Sequence, residues 1–116
     1  MKFKLIVAIV DDEATDNVIA AAREVGATGA TVITNARGEG LKAEKTFFGL
    51  DLSASRDVVL FLVVAERARM ILEAIEKEGG LKDKADVGIA LQLDIEDVVG
   101  LRSQLSVLEK EVEEEL

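Results

Sequence analysis

One unit of the sequence occurs twice, and that repetition constrains the fold more than any other feature. LIVAIVDDEATDNVIAAAREVGA (residues 5–27) and LFLVVAERARMILEAIEKEGG (residues 60–80) each pass from an apolar run into a helix-period stripe and end near glycine. The runs Lys4–Val10 and Asp57–Ala65 are of strand length and rich in β-branched residues, the pattern of strands that want both faces covered. In the first unit Ala14, Val18, Ala22 and Val25, with Ile19 beside them, recur at helical spacing up to Gly26. In the second, Glu66–Glu78 carries Ala68, Ile71, Leu72 and Ile75 on one stripe, stopped by Gly79-Gly80. Glycine after the last periodic residue suits a helix C-terminus. Asp11 or Asp12 is expected to cap the first helix, with Glu13 and Asp16 in its first turn. A further strand follows each unit, at about 28–35 (TGATVITN) and about 87–93.

The predicted order is therefore βαββαβ. That order makes an α+β ferredoxin-like sandwich of four strands with two helices on one face. Two helices can cover only one side of such a sheet. The first and third strands are apolar at nearly every position, so the open side predicts a homo-oligomer. The chain's 116 residues suit one domain, and its 49% hydrophobic content suffices for a packed core. The longest apolar run, Val58–Ala65, is far short of a membrane span. The apolar stretch after Met1-Lys2-Phe3-Lys4 stops at Asp11-Asp12 with no small-residue cleavage site. The expected location is the cytoplasm, without membrane insertion.

Charge is unevenly placed. Of the net −9, residues 94–116 contribute −6 (eight acids against Arg102 and Lys110), and residues 1–93 contribute only −3. Such a C-terminal segment repels a nucleic-acid backbone and reads as a solvated helix face. Val98, Leu101, Leu105, Leu108 and Val112 form a heptad seam of about two repeats, expected as an acidic helix over 94–116 packed on the body or a neighbour. Gly100 interrupts it.

The missing residues narrow the chemistry. Without Cys or His there is no thiolate nucleophile, no zinc–thiolate site and no side chain titrating near neutrality. Without Trp or Tyr, only four Phe could stack on nucleic-acid bases. A carboxylate or lysine enzyme remains conceivable, but no nucleophile–base pair can be named. Carboxylate pairs such as Asp11/Asp12 and Asp94/Glu96 are better explained as caps than as metal ligands.

Two segments stand out. Residues 38–56 join the second and third strands with no clear secondary structure, far longer than an ordinary hairpin loop. The segment opens on Ala36-Arg37-Gly38-Glu39-Gly40-Leu41-Lys42. Gly38 and Gly40 would let main-chain N–H groups approach an anion, with Arg37, Lys42 or Lys45 as countercharge. Phe47-Phe48 either tucks the loop onto the body or contacts a protein partner. The second segment, Gly79 to Gly88, carries Lys82 and Lys84, which could reach phosphate across an oligomer interface. Its plainer reading is a polar loop.

Gly26-Ala27-Thr28-Gly29-Ala30-Thr31-Val32 leading to Arg37-Gly38-Glu39-Gly40, then the long loop, then Phe61-Leu62-Val63-Val64, resembles the PII family of nitrogen-regulatory signalling proteins over most of the chain. The resemblance implies a homotrimer that binds an adenine nucleotide between subunits and moves a long T-loop to engage a partner such as a transporter, an enzyme or a regulator. It implies that Thr31, Gly38, Gly40 and Val63 line the nucleotide pocket, and that Arg102 contacts phosphate. The family's G-D-G-K-I motif stands here as Asp86-Val87-Gly88-Ile89, without its lysine, and Gly100 replaces an arginine. The effector implied is an adenine nucleotide (ADP, AMP or ATP); fewer phosphate contacts point to ADP, AMP or another ligand instead of tight ATP binding, and the resemblance leaves any metal undefined. The loop has no tyrosine to modify. A CutA-like or scaffold trimer without a nucleotide site is the alternative, and it gives no reason for a long glycine-bearing loop.

Overall fold

A computed structural model describes residues 1–36, 46–47, 50–51, 55–83 and 88–101. In chain order the elements are β1 (Phe3–Asp11), α1 (Thr15–Glu24), β2 (Thr31–Ala36), β3 (Thr46–Phe47), β4 (Leu50–Asp51), β5 (Arg56–Val64), α2 (Ala65–Glu78) and β6 (Gly88–Asp94). Four strands form one antiparallel sheet in the order β2-β5-β1-β6, with both doubled units at its centre. This is the expected ferredoxin-like arrangement. Segment 38–56 departs from the sequence expectation twice: it contains the two-stranded ribbon β3–β4, and its last residue, Arg56, already belongs to β5.

Alternation along the strands divides the apolar residues between two faces. Ile6, Ala8 and Val10 of β1, and Val59, Phe61 and Val63 of β5, are buried against the helices. Val18 and Ala22 of α1 and Ala68, Ile71 and Ile75 of α2 close that core. The register aligns the other face into rows: Leu93–Leu5–Leu62, Leu91–Val7–Leu60–Thr31, and Ile89–Ile9–Val58–Ile33. Every member but Thr31 is apolar. No described helix covers these rows, and Ile33 and Leu93 are about half exposed, at 51% and 50%.

Both helices end the same way, for a reason visible in the sequence. Gly26 (φ 117°) donates to the Arg23 carbonyl, and Ala27 to that of Ala22. Gly80 (φ 64°) donates to Lys77, and Leu81 to Glu76. This paired pattern needs a left-handed residue just past the helix, which glycine adopts without a Cβ penalty. The start of α1 differs from expectation. Its N-cap is Ala14, with no side-chain hydrogen bond. The Asp11 carboxylate instead accepts the N–H of Glu13 at 3.0 Å, so it braces the turn before the helix.

Past β6 the chain carries no helix over residues 95–101, and Gly100 adopts φ 91°. The helix expected from residue 94 is absent over that stretch, and the left-handed Gly100 would itself break a helical ladder. Leu105, Leu108 and Val112 lie outside the described residues. No helix among the described residues is long and apolar enough to cross a membrane.

Candidate functional site

The segment between α1 and β2 is expected from sequence to begin a strand at Thr28, yet pairing with β5 starts only at Thr31↔Leu60. The freed stretch Thr28-Gly29-Ala30 walls a cleft of about 330 Å³, floored by Leu60, Leu62 and Leu101 and flanked by Thr31. Leu60 and Leu62 belong to the open face, so this floor continues the apolar rows. Thr28 and Thr31 are the cleft's polar side chains, and the Thr28 Oγ1 is buried with no hydrogen-bond partner among the described residues. A buried hydroxyl without a partner is costly.

The expected site residues fall in different places. Thr31 lies in the cleft, exposed at the start of β2. Val63 is fully buried on the helix side, so its side chain belongs to the core and only its main chain could meet a ligand. The cleft-facing residues of β5 are Leu60 and Leu62, which the sequence reading does not single out. Period-two alternation from Thr31 and its partner strand would have indicated them. Thr28 has no comparable signal, since a threonine in an expected strand gives no local sign of an unsatisfied hydroxyl.

Gly88 lies elsewhere. It opens β6, two strands away from β5, and a Cβ there would meet the Ile9 carbonyl oxygen at 2.3 Å. Its glycine is required by strand approach. It lines a groove of about 300 Å³ with Arg69, Leu72, Glu73, Glu76, Leu81, Ile89 and Ala90. Lys82 is exposed in the turn before β6. Ala36, Arg56, Asp11 and the Val10–Gly88 pair all lie at one end of the sheet, so segment 37–55 and the turn carrying Lys82 leave from the same end. Thr31 lies five residues back along β2. Phe47 is in β3. Arg37, Gly38, Gly40, Lys42, Lys45, Phe48, Lys84 and Arg102 lie outside the described residues.

Two carboxylates have lowered pKa values. Asp11 is held down first by the Glu13 N–H, with smaller help from Asp12 and the Arg56 guanidinium, against a raising effect of burial. Exposed Asp94 is lowered by Lys4, to which it is ion-paired across β6 and β1. No group of three or more acids that could hold a metal occurs among the described residues.

Comparison with known proteins agrees with this architecture. The model of the nitrogen regulatory protein P-II family matches residues 3–104. A PII-like signaling protein from Thermus thermophilus superposes with a TM-score of 0.59 at 20% identity, covering 82% of this chain and 87% of its own. The apo form of CPII, a nitrogen regulatory PII-like protein from Thiomonas intermedia K12, gives 0.63 at 16% identity, covering 82% and 90%. The same protein bound to ADP, AMP and acetate gives 0.59 at 14% identity, covering 83% and 90%. No curated protein sequence matches significantly. At these identities the structures establish the fold, while the family model spans all four strands of the main sheet, both helices and the cleft: the chain belongs to the nitrogen regulatory protein P-II family.

Proposed function

We propose that the chain is a homotrimeric PII-type regulator that binds an adenine nucleotide (AMP, ADP or ATP) in a cleft between subunits. Through segment 38–56 it then alters its affinity for a protein partner, such as a transporter or an enzyme. The observation that carries this reading is the cleft of Thr28, Thr31, Leu60 and Leu62. It offers an apolar floor for a flat ring, the exposed Thr31 at its edge, and beside it the Thr28 hydroxyl that the described residues leave without a partner. CPII, of the same fold, is described with ADP and AMP bound.

Sheet order supports an intersubunit site. Thr31 and Gly88 sit on opposite edge strands, separated by β5 and β1, roughly 14 Å at ordinary strand spacing. One protomer therefore does not bring the two edges together. A neighbour's β6 edge beside this β2 edge would, and the uncovered apolar rows supply the reason to associate. Among the described lining residues of the cleft none is cationic. Phosphates would therefore rely on Lys82 of a second copy and on Arg37, Lys84 and Arg102. Ligand-dependent change in partner affinity then follows as a population shift, with no catalytic step, in the cytoplasm.

Isothermal calorimetry with AMP, ADP, ATP and cyclic AMP, with and without Mg²⁺ or bicarbonate, tests this. Saturable heat with at least one nucleotide at one site per subunit is expected. Absence of heat with all of them overturns the nucleotide reading and favours a scaffold trimer.

A further inference from the structure

Position 57 presents a physical oddity. The helix side of β5 is apolar at Val59, Phe61 and Val63, yet the next residue on that side toward the strand's start is Asp57, only 7% exposed. Its Oδ2 accepts a hydrogen bond of 2.7 Å from the Thr15 hydroxyl at the start of α1, itself 5% exposed. Burying a carboxylate in a core position costs more than burying the valine that continues the pattern. The adjacent residue repeats the oddity on the opposite side. Arg56 is 7% exposed and on the open face, where its Nη1 donates to Asp11 Oδ2 at 3.3 Å.

These pairs hold two successive residues of β5 from opposite faces of the sheet. Arg56 faces the side of Ile9 and Val58; Asp57 faces the side of Val10 and Val59. Backbone pairing to β1 and β2 already sets the path of β5, and the two side-chain pairs restrain its first two residues further, one from each face. The grip lies where segment 37–54 rejoins the sheet. Around it, the Asp12 N–H donates to the Ser55 carbonyl at 3.4 Å, and Ser55 Oγ donates to Asn35 Oδ1 at 3.4 Å. Asn35 is left-handed (φ 57°) within an irregularity between Ile33 and Ala36, so the segment's departing end is also set locally.

We infer that Thr15–Asp57 and Asp11–Arg56 form a two-faced clasp that fixes the root of segment 37–54, making these four residues positioning residues for it. Thr15–Asp57 is buried and Asp11–Arg56 is part-buried, with the Asp11 side chain 45% exposed, and polar pairs kept at such a cost can fix one geometry. The clasp fastens the segment to the β1–α1 turn, a site apart from the Thr28–Leu62 cleft. Its functional meaning rests on the reading that segment 38–56 carries the response, but its test needs no ligand.

Amide hydrogen exchange on the ligand-free protein provides that test, comparing wild type with T15V, T15S and R56M. T15V keeps the side-chain volume and removes the hydroxyl; T15S keeps the hydroxyl. Exchange in peptides covering 37–54 is expected to rise about tenfold in T15V and R56M and to return toward wild type in T15S, as the loss of one bond at a local opening implies. Peptides from Ile6–Val10 and Ile71–Ile75 should change no more than the urea midpoint accounts for. If 37–54 exchanges at the unprotected rate in wild type, or responds equally in T15S and T15V, the clasp positions nothing and the inference fails. It fails equally if acceleration is uniform across core and segment in proportion to lost global stability. R56K serves if R56M does not fold, with the same expected direction. Failure of nucleotide titration on wild type would overturn the proposed function and leave this exchange result standing.

Discussion

Thr31 of β2 stands directly opposite Leu60 of β5, and no β2–β5 pairing occurs before this pair. The residues just before Thr31 are thereby released to wall the cleft, and Leu62, two places beyond Leu60, becomes its floor.

The first prediction concerns Thr28. Its hydroxyl is buried without a partner among the described residues. Thr28→Val should therefore raise the stability of the ligand-free protein by about 1 kcal/mol, because an unsatisfied polar atom is replaced by a methyl of similar volume. If the hydroxyl meets the nucleotide, the same change should weaken binding by roughly tenfold. Urea denaturation and calorimetry on one preparation read the two opposite effects. Unchanged affinity would remove Thr28 from the site.

The second concerns assembly. Leu91 and Leu93 are 37% and 50% exposed on the open face of edge strand β6. Leu91→Lys with Leu93→Lys should leave the protomer folded, because partly exposed edge positions tolerate lysine. It should also break association through this face, since buried unpaired charge is strongly unfavourable. Light scattering should shift from the proposed trimer to a monomer of about the 12.5 kDa chain mass. A trimer that survives the double change does not use this face.

Gly88 supplies the third. An added Cβ would meet the Ile9 carbonyl oxygen at 2.3 Å, and main chain has little room to yield. Gly88→Ala should cost about 1–3 kcal/mol by overpacking. Gly80→Ala meets nothing within 4 Å but keeps φ 64°, so it should cost only about 1–2 kcal/mol of left-handed strain. Chemical denaturation separates them further, because Gly80→Asn should recover part of the loss and Gly88→Asn none.

Acid response gives the fourth. Asp11 is depressed below its ordinary 3.8 in the folded state. A depressed carboxylate stabilises the fold fully above its unfolded value and loses that contribution as pH falls from there through the folded value. Stability should thus decline on acidification below about pH 4. Asp11→Asn should flatten this decline while leaving the slope between pH 6 and 8 unchanged. Urea midpoints from pH 2.5 to 8 measure both.

Much of the fold was legible because its signals are local. Apolar runs of strand length, helical stripes and terminal glycines each act within a few residues, and they placed the four long strands and both helices to within a few positions. Misplaced details have tertiary causes. β2 starts late because Thr31 is the first residue opposed by β5. Asp11 braces a turn because Arg56 and the Glu13 N–H draw it there. Residues 95–101 follow no helix despite the seam at Val98 and Leu101: Gly100 is left-handed, and Leu101 lines the cleft with Leu60 and Leu62.

The βαββαβ order, the surplus of apolar strand surface and the absence of thiol and imidazole chemistry follow from composition and period, which are properties of the chain alone. Which alternate residues face the helices is settled in the folded sheet. It thereby sent Val63 to the core, placed Leu60 and Leu62 in the cleft, and put Asp57 under Thr15. Facing depends on register, and register is set by partners distant in the chain.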